Sequence, residues 1–393
     1  MEKDAKPHIL LLYNALIPSV RLCGHCQLSW LAQKQWVDYR SKPLLRISGR
    51  DLQWADTVIL GRLDDPFALK VAELLQGSGR QLLYILDDDL LHVPKTCASF
   101  PHYADSGVQK RIRRILELSD GIITPSPRLA EKYLRPGQRA LMIEEPALEP
   151  ADYVPHSTDV VTIGFAGSPD RTKDIEKLLG AVLSRVKDVY PDKVRFEFFG
   201  AVPEFAEKLE STVIPYCDSY DDYRRTLNSR NWDIGLAPMP DTPFHACKHY
   251  NKYCEYAAAG VVGIFSRVEP YTRISDRYAG AVLCNNDPEA WYGTLCGLIE
   301  DTARTESLRK QVSQMAHAEL SLAAVSENFA CHAGETLTYK AHDGRLHRKK
   351  FWLCRLCGVA QWARELYGRY GLSVFGRAFQ KLRNAFSGGQ EHS

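Results

Sequence analysis

Short apolar runs recur along the chain, and the segments between them repeat apolar residues at helical spacing. Five runs precede residue 145, at His8–Tyr13, Thr57–Gly61, Leu82–Leu86, Gly121–Thr124 and Ala140–Ile143. Five more follow residue 159, at Val160–Ala166, Val194–Gly200, Trp232–Ala237, Val261–Phe265 and Ala281–Cys284. Helices are predicted between them, as at Pro66–Gln76, Asp174–Val189 and Tyr250–Ala259. Short buried strands that alternate with helices are typical of parallel sheets, so the pattern predicts an α/β protein with two parallel-sheet halves.

The pattern stops between residues 144 and 159, in the segment EEPALEPADYVPHSTD. Three prolines and five acidic residues, with few aliphatic ones, are typical of a linker. We therefore predict a first domain over residues 1–145, a linker over 146–159, a second domain over 160–335 and a helical tail over 336–393. Open parallel sheets bind ligands at the carboxyl ends of their strands, so we expect the two domains to face a ligand-binding cleft.

Composition places the chain among ordinary enzymes. Its 393 residues are 45% hydrophobic and 25% charged, which excludes a disordered or fibrous protein. The net charge of +2 is unevenly distributed, because residues 340–393 hold 11 Lys and Arg but only 3 Asp and Glu. An acidic body with a basic tail argues against a nucleic-acid partner. Eleven cysteines without a compact spacing indicate a reducing compartment. No apolar run reaches the length of a signal peptide core or a membrane helix, so we expect a cytoplasmic protein.

A candidate anion site opens the second half, in the segment GFAGSPDRTKD. Gly164, Gly167 and Ser168 indicate a tight turn between a strand and a helix, and Arg171 and Lys173 follow at once. Such a turn offers free backbone N–H groups and the positive end of a helix dipole, to which the two cations add charge-assisted contacts with a phosphate. The alternative is a solvated helix start. Neither GxxxxGK[ST] nor GxGxxG occurs in the chain.

A second candidate lies in the segment WDIGLAPMPDTPFHACKHYNKYCEYAAAGVVGIFS. Lys248, Lys252 and Glu255 are spaced by four and three residues, which predicts one helix face that carries all three. Two cations and a carboxylate suit a ligand that has both phosphates and sugar hydroxyls. A surface helix with a salt bridge is the alternative.

The run K-x3-K-x2-E-Y-A-A-x-G, before a short apolar strand, resembles the donor-binding region of GT-B retaining glycosyltransferases, the group that includes family 4. GFAGSPDRTKD resembles the first strand, turn and helix of their second domain, where an Arg and a Lys hold the donor diphosphate. LLYILDDDLLHVP and SDGIITPSPRLAEKYL resemble the acceptor domain of bacterial polysaccharide transferases of that group. The resemblance covers about residues 8–330 and implies two Rossmann-like domains.

The resemblance implies transfer of a sugar from a nucleoside diphosphate sugar to a hydroxyl of a glycan or lipid-linked acceptor, with retention, in cell-surface polysaccharide synthesis. It implies a donor site of Gly167, Ser168, Lys248, Lys252 and Glu255, with Glu255 on the ribose, and leaving-group contacts from Arg171 and Lys173. No cofactor or metal is expected for the transfer step. A sugar-nucleotide epimerase or hydrolase and a non-catalytic nucleotide-sugar-binding scaffold are the alternatives.

The chain departs from the family pattern at two places. The second glutamate that family members commonly place eight residues earlier, on the donor sugar, is Cys247 here. Asp241 or His245 would have to take its place. The first loop also lacks the common Gly-Gly pair and reads PSVRLCG over Pro18–Gly24.

Three adjacent carboxylates, Asp87, Asp88 and Asp89, follow a predicted strand and could hold Mg²⁺ or Mn²⁺. Since the donor features lie in the other half, we instead expect an acceptor-side or structural role, with Asp88 as a candidate base for the acceptor hydroxyl. The pairs Cys23/Cys26 and Cys354/Cys357 are expected to be reduced thiols rather than a zinc site.

The tail repeats apolar residues at helical spacing among many cations. The predicted apolar face consists of Trp352, Leu356, Val359, Ala363, Leu366 and Tyr370. Such a helix suits an anionic membrane surface, through residues 345–386, at the inner face of the plasma membrane. A helix that packs back on the two domains is the alternative, and both stay open.

Overall fold

The computed structural model describes residues 6–155, 159–274, 278–334, 336–337 and 348–370. They form two compact units. Within the described ranges, the first unit comprises residues 6–91, 101–143 and those from Ser326 onward, and the second comprises residues 92–100 and 144–325. In this division residues 92–100 belong to the second unit and residues 326–334 to the first. The predicted domains instead place residues 92–100 in the first domain and residues 326–334 in the second. The predicted boundaries stay a prediction.

The first unit is built on a six-stranded sheet in the order β2-β1-β3-β4-β5-β6, with every pair of neighbours parallel. Its strands are β1 (His8–Tyr13), β2 (Asp38–Pro43), β3 (Thr57–Gly61), β4 (Gln81–Ile85), β5 (Gly121–Thr124) and β6 (Arg139–Met142). Helices of this part of the chain are α1 (Pro18–Val20), α2 (Cys26–Gln33), α3 (Gly49–Trp54), α4 (Pro66–Leu75), α5 (Phe100–Tyr103), α6 (Ser106–Leu118) and α7 (Pro127–Tyr133).

The second unit repeats the architecture with a six-stranded parallel sheet in the order β12-β11-β10-β7-β8-β9. Its strands are β7 (Val161–Gly167), β8 (Val194–Gly200), β9 (Thr212–Ile214), β10 (Ile234–Ala237), β11 (Val262–Ser266) and β12 (Ala281–Cys284). The helices from here on are α8 (Thr172–Val189), α9 (Tyr220–Ser229), α10 (Pro243–Ala246), α11 (Asn251–Ala258), α12 (Pro288–Glu300), α13 (Thr302–Glu319), α14 (Leu322–Ala333) and α15 (Arg348–Tyr370).

The predicted strands are confirmed to within two residues at their ends, and two further strands were missed. β2 (DYRSKP) and β9 (TVI) are edge strands whose side chains are largely exposed or half-buried. An edge strand has one solvated side, so it can carry polar residues, as β2 and β9 do. The other two edge strands, β6 and β12, keep short apolar runs and were predicted. The inner strands β3, β4, β5, β10 and β11 are buried along their whole length, which is why their aliphatic runs are visible in the sequence.

The segment from Glu144 onward packs on the second unit. Ala147 N–H donates to the Leu320 carbonyl at 2.8 Å, and Ala151 N–H donates to the Ala258 carbonyl at 2.7 Å. Tyr250 and His249 both bond to the Glu144 carboxylate, the latter at 3.0 Å. Residues 156–158 of the predicted linker lie outside the described part of the chain.

α15 packs on α4 in the first unit, and it does so through a face other than the predicted one. Phe351 is buried and lies with its ring centre 6.4 Å from that of Phe67. A Cβ on Gly358 would lie 2.7 Å from the Phe67 Cα, so only glycine permits this approach. Arg355 donates to the carbonyls of Leu45 and Ile47 at 2.9 and 3.2 Å.

The predicted tail face is not the face that packs on α4. Trp352, Leu356 and Ala363 are exposed, and Val359 is half-buried. The side chains of Leu366 and Tyr370, and residues 345–347 and 371–386, lie outside the described set. Among the described residues, no helix has the length and apolar character that crossing a membrane requires.

Candidate functional site

The second sheet has its topological switch point at β7. The chain runs outward from β7 through β8 and β9 on one side and through β10, β11 and β12 on the other, so the loops after β7 and β10 diverge at the carboxyl edge. Such an edge is where open parallel sheets bind ligands. Gly167 and Gly200 end two paired strands here, and a Cβ on Gly200 would lie 2.3 Å from the Gly167 carbonyl oxygen.

Arg171 lies at this edge, at the entry to α8. The chain leaves β7 through Gly167 and the exposed Ser168, makes a 3₁₀ turn over Pro169–Arg171, and begins α8 at Thr172. The half-buried Arg171 guanidinium donates to Asp174 Oδ2 at 3.0 Å and contacts His245 Nε2 at 3.4 Å. The predicted cation is therefore held in a defined position, at the amino-terminal, positive end of the α8 dipole.

The His245 side chain is oriented by its own loop. Its Nδ1 lies 2.7 Å from Thr242 Oγ1, and that oxygen also accepts the His245 backbone N–H at 3.3 Å. With Nδ1 donating to Thr242, Nε2 is the lone-pair nitrogen and faces the Arg171 guanidinium. His245 is buried, whereas Asp241, the other predicted sugar ligand, is exposed.

The loop after β10 is held by hydrogen bonds to the backbone N–H and the backbone carbonyl of Met239. Its N–H donates to Ser266 Oγ at 2.8 Å, and its carbonyl accepts from the Asn286 amide at 2.8 Å. The Met239 sulfur lies 3.9 Å from Arg171 NH2. Three side chains, those of Asp174, His245 and Met239, therefore converge on one guanidinium.

Lys252 and Glu255 form a second group on α11. They pair with each other, and Tyr223 joins them from α9, with its hydroxyl 2.7 Å from Glu255 Oε2 and 3.0 Å from Lys252 Nζ. Burial, and then the Glu255 carboxylate, raise the pKa of Tyr223 well above its usual value, so this phenol stays protonated and donates to Glu255. The salt bridge within one helix, which was the alternative interpretation, is thus present. It is not a surface salt bridge, because the side chains of Lys252 and Glu255 are only 20% and 12% exposed.

The charges of Arg171 and Glu255 both act on the pKa of the buried Tyr271 hydroxyl. Burial raises the pKa of its hydroxyl, the Arg171 guanidinium lowers it, and the Glu255 carboxylate raises it further. Arg171 and Glu255 therefore act on one buried side chain. The structure brings these two predicted residues into the same region.

Two other predicted residues, Lys248 and Gly164, differ from expectation. Lys248 precedes α11 and is not on the helix that carries Lys252 and Glu255; its ammonium lies 4.7 Å over the Phe244 ring. Gly164 lies inside β7 and is not part of the turn. Lys173 lies in the first turn of α8 and is exposed. Cys247, at the position of the family's second glutamate, is buried.

Sequence reasoning missed the residues that hold the predicted ones. Asp174 positions Arg171, Thr242 positions His245, and Tyr223 bonds to Glu255. Asp174 could have been found, because a carboxylate three residues after an Arg on a helix predicts an ion pair. Tyr223 could not, because it lies 32 residues from Glu255 and only the packing of α9 on α11 brings them together.

In the first unit, Arg62 connects three loops at the carboxyl edge of the sheet. It follows β3 with a φ of 56°, a left-handed conformation that favours glycine. Its NH1 donates to Ser19 Oγ and to Asp87 Oδ2, both at 2.9 Å, and lies 3.7 Å from Asp88 Oδ2. Burial lowers the pKa of Arg62, but the carboxylates of Asp87 and Asp88 and the hydroxyl of Tyr103 raise it above its usual value.

All three predicted carboxylates are matched by cations. Asp87 and Asp88 lie against Arg62, and Asp89 pairs with Lys132 at 2.6 Å and accepts from Tyr133. Within the described residues, no three His, Cys, Asp or Glu side chains lie close enough together to hold a metal ion. None of Cys23, Cys26, Cys354 and Cys357 takes part in a disulfide bond.

Solved structures match this architecture over most of its length. HepE from Anabaena, in complex with UDP and glucose, has a TM-score of 0.55 at 13% identity, over 84% of this chain and 100% of that one. Sucrose-phosphate synthase from Thermosynechococcus elongatus has a TM-score of 0.57 at 16% identity, over 84% and 99%. Both are GT-B glycosyltransferases. This chain has the GT-B fold.

A third GT-B structure, an alpha-glucosyltransferase in complex with UDP, has a TM-score of 0.57 at 11% identity, over 84% of this chain and 100% of that one. No family model matches the chain, and no curated protein matches it. The likeness to the three solved structures confirms the predicted fold class. The structure itself has the two six-stranded parallel sheets, their covering helices and the helix α15.

Proposed function

We propose that the protein is a glycosyltransferase that takes a sugar from a nucleoside diphosphate sugar and passes it to a hydroxyl group. The observation that carries this proposal is the Arg171 guanidinium, held by Asp174 and His245 at the switch point of the second sheet. UDP or a UDP-sugar is present in structures of the similar HepE and alpha-glucosyltransferase, which favours uridine as the base.

Arg171 would act on the leaving group. Negative charge grows on the diphosphate as the bond to the sugar breaks, and a cation that is already in place lowers that barrier without reorganisation. The half-buried position of Arg171 strengthens the effect, because fewer waters screen the charge. We assign Lys173, on the first turn of α8, and the backbone N–H groups near Gly167 and Ser168 to the same diphosphate.

The remaining donor contacts follow the resemblance. Glu255 would accept hydrogen bonds from the ribose hydroxyls, with Tyr223 and Lys252 fixing its carboxylate. Lys248 is proposed as a further phosphate ligand. His245 and the exposed Asp241 would contact the donor sugar in place of the glutamate replaced by Cys247.

We assign acceptor binding to the first unit. The Asp88 carboxylate, which lies 3.7 Å from the Arg62 guanidinium, is the proposed base or orienting group for the acceptor hydroxyl. Arg62 Nε, Asp87 Oδ1 and Tyr84 OH are buried and have no hydrogen-bond partner among the described residues. Buried polar atoms of this kind cost stability unless a ligand bonds to them, which favours a hydroxyl-rich acceptor there.

The finer features belong to the same proposal. Transfer occurs with retention, the departing phosphate helps to deprotonate the acceptor on the same face, and no metal is needed. The acceptor is a glycan or lipid-linked glycan of cell-surface polysaccharide synthesis, and the reaction takes place at the inner face of the plasma membrane.

Arg171→Ala tests the proposal. We expect kcat for transfer from the preferred UDP-sugar to fall by about 100-fold, the range for loss of one electrostatic contact to a developing charge. Arg185→Ala is the matched control, since Arg185 lies on the same helix and pairs with Glu289 at 2.9 Å outside the site. It should leave kcat unchanged.

Calorimetry with uridine, guanosine, thymidine and adenosine diphosphates separates this function from its alternatives. Binding with no turnover in the presence of any hydroxyl acceptor would favour a scaffold, and donor consumption without an acceptor would favour an epimerase or hydrolase. Equal kcat values for Arg171→Ala and Arg185→Ala would contradict the assignment of Arg171.

A further inference from the structure

α15 leaves a row of large apolar side chains in water. Trp352, Leu353, Leu356 and Tyr367 are 56%, 61%, 62% and 56% exposed. Residues advance about 100° around a helix, so these four cover one arc of roughly 100°, centred about 150° from the packed residues Phe351 and Gly358. We call this arc the outer face of α15. Ala360 and Ala363 lie in the same arc and are exposed.

Cations border the outer face. Lys350 and Arg364 are exposed, and the helix begins with Arg348, Lys349 and Lys350. Its one acidic residue, Glu365, pairs with Arg111 of α6 at 2.9 Å and lies on the packed side. α6 adds the exposed Lys110 and Arg113 to the neighbouring surface. The outer face is therefore apolar, has the exposed cations Arg364 and Lys350 along one flank, and is free of exposed carboxylates along α15.

We propose that the outer face of α15 is a docking surface for an anionic phospholipid bilayer, on which the helix lies parallel to the membrane plane. A large apolar arc beside cations is what interfacial helices bury at the boundary between headgroups and acyl chains. The packed side holds α15 to α4, so docking of this face also holds the first unit at the bilayer.

Charge complementarity selects lipid over a second copy of the chain. Two outer faces brought together would place like charges opposite each other, which is unfavourable. An anionic leaflet attracts each lysine or arginine near its surface by about 1 kcal/mol, or about fivefold in affinity. This proposal does not depend on the donor site; it deepens the proposed function by identifying the surface through which the protein reaches the membrane.

Vesicle binding tests the surface in the full-length protein. We expect co-sedimentation with phosphatidylcholine vesicles that contain phosphatidylglycerol and little with phosphatidylcholine alone. Leu353→Gln with Leu356→Gln should lower the affinity by about 10-fold, through loss of buried apolar area. Lys350→Gln with Arg364→Gln should lower it by about 25-fold, at fivefold for each charge.

The matched control replaces two exposed apolar residues of the second unit, Val154→Gln with Val189→Gln, and should bind vesicles as the parent does. Far-UV circular dichroism and melting temperature check that each variant is folded. Brominated lipids should quench part of the tryptophan fluorescence of the parent, and this part should be absent in Trp352→Phe.

Three outcomes overturn the proposal. They are a lack of binding to anionic vesicles, equal binding by all the variants, and full quenching in Trp352→Phe. A dimer in sedimentation velocity that Leu353→Gln with Leu356→Gln dissociates, without vesicle binding, would assign the outer face to a second copy instead.

Discussion

Gly164 and Gly167 have different physical roles although they are three residues apart. Gly167 ends β7 where the chain turns towards Arg171. Gly164 lies under the Trp232 indole, where a Cβ would come within 2.0 Å of the ring. Trp232 is fully buried and donates to Glu197 at 2.7 Å, so it cannot move aside without loss of that bond. Gly164 therefore serves packing, and Gly167 serves the turn.

At this scale we expect Gly164→Ala to lower the free energy of unfolding by about 3 kcal/mol, the upper range for overpacking a core. Gly293→Ala is the control, because Gly293 lies in α12 and a Cβ there meets nothing within 4 Å. It should raise the free energy of unfolding by about 0.5–1 kcal/mol through helix propensity. Urea unfolding measures both. A neutral Gly164→Ala would show that Trp232 has room to shift.

Among the helices, α15 combines two surfaces with different tasks. Phe351 and Gly358 pack on α4, while Trp352 and Leu356 face water. A single apolar stripe predicted from spacing cannot separate them, because apolar residues occur around most of the helix. The packed face is decided by the close approach at Gly358, where the Phe67 backbone fills the space that a side chain needs.

We expect Gly358→Val to release α15 from α4. The added side chain would overlap Phe67, and overpacking of about 1–3 kcal/mol corresponds to an increase of about 5- to 150-fold in the fraction detached. Amide hydrogen exchange in residues 348–370 should accelerate by that factor. Ala360→Val places the same β-branched residue on the exposed side and should change exchange little. Equal exchange in both variants would mean that α15 is held elsewhere.

At the scale of the whole molecule, two parallel sheets each bring a guanidinium to their carboxyl edge, in Arg171 and Arg62, but in opposite settings. Arg62 is matched by Asp87 and Asp88 and buried among polar groups. Arg171 has one carboxylate, Asp174, and is about a quarter exposed. This contrast supports the proposal that the second unit binds the donor diphosphate and the first unit a neutral, hydroxyl-rich acceptor.

If Arg171 and Lys173 balance the charge of the departing diphosphate, chelation of divalent metals should not slow the reaction. We expect the transfer rate in EDTA to stay within about twofold of the untreated rate, and added Mn²⁺ to have no effect, because fixed cations already supply the electrostatic stabilisation. Loss of activity in EDTA that Mn²⁺ restores would reassign the diphosphate contacts to a metal site.

The amino-acid sequence by itself determined the α/β class, the inner strands and the position of Arg171 after a strand, since each depends on neighbours close along the chain. Tertiary structure alone decided the edge strands β2 and β9, the contact of His245 with Arg171, the link between Tyr223 and Glu255, and the face of α15 that packs. Local patterns record whether a residue is buried. They do not record which distant residue it meets, because that depends on how sheets and helices pack.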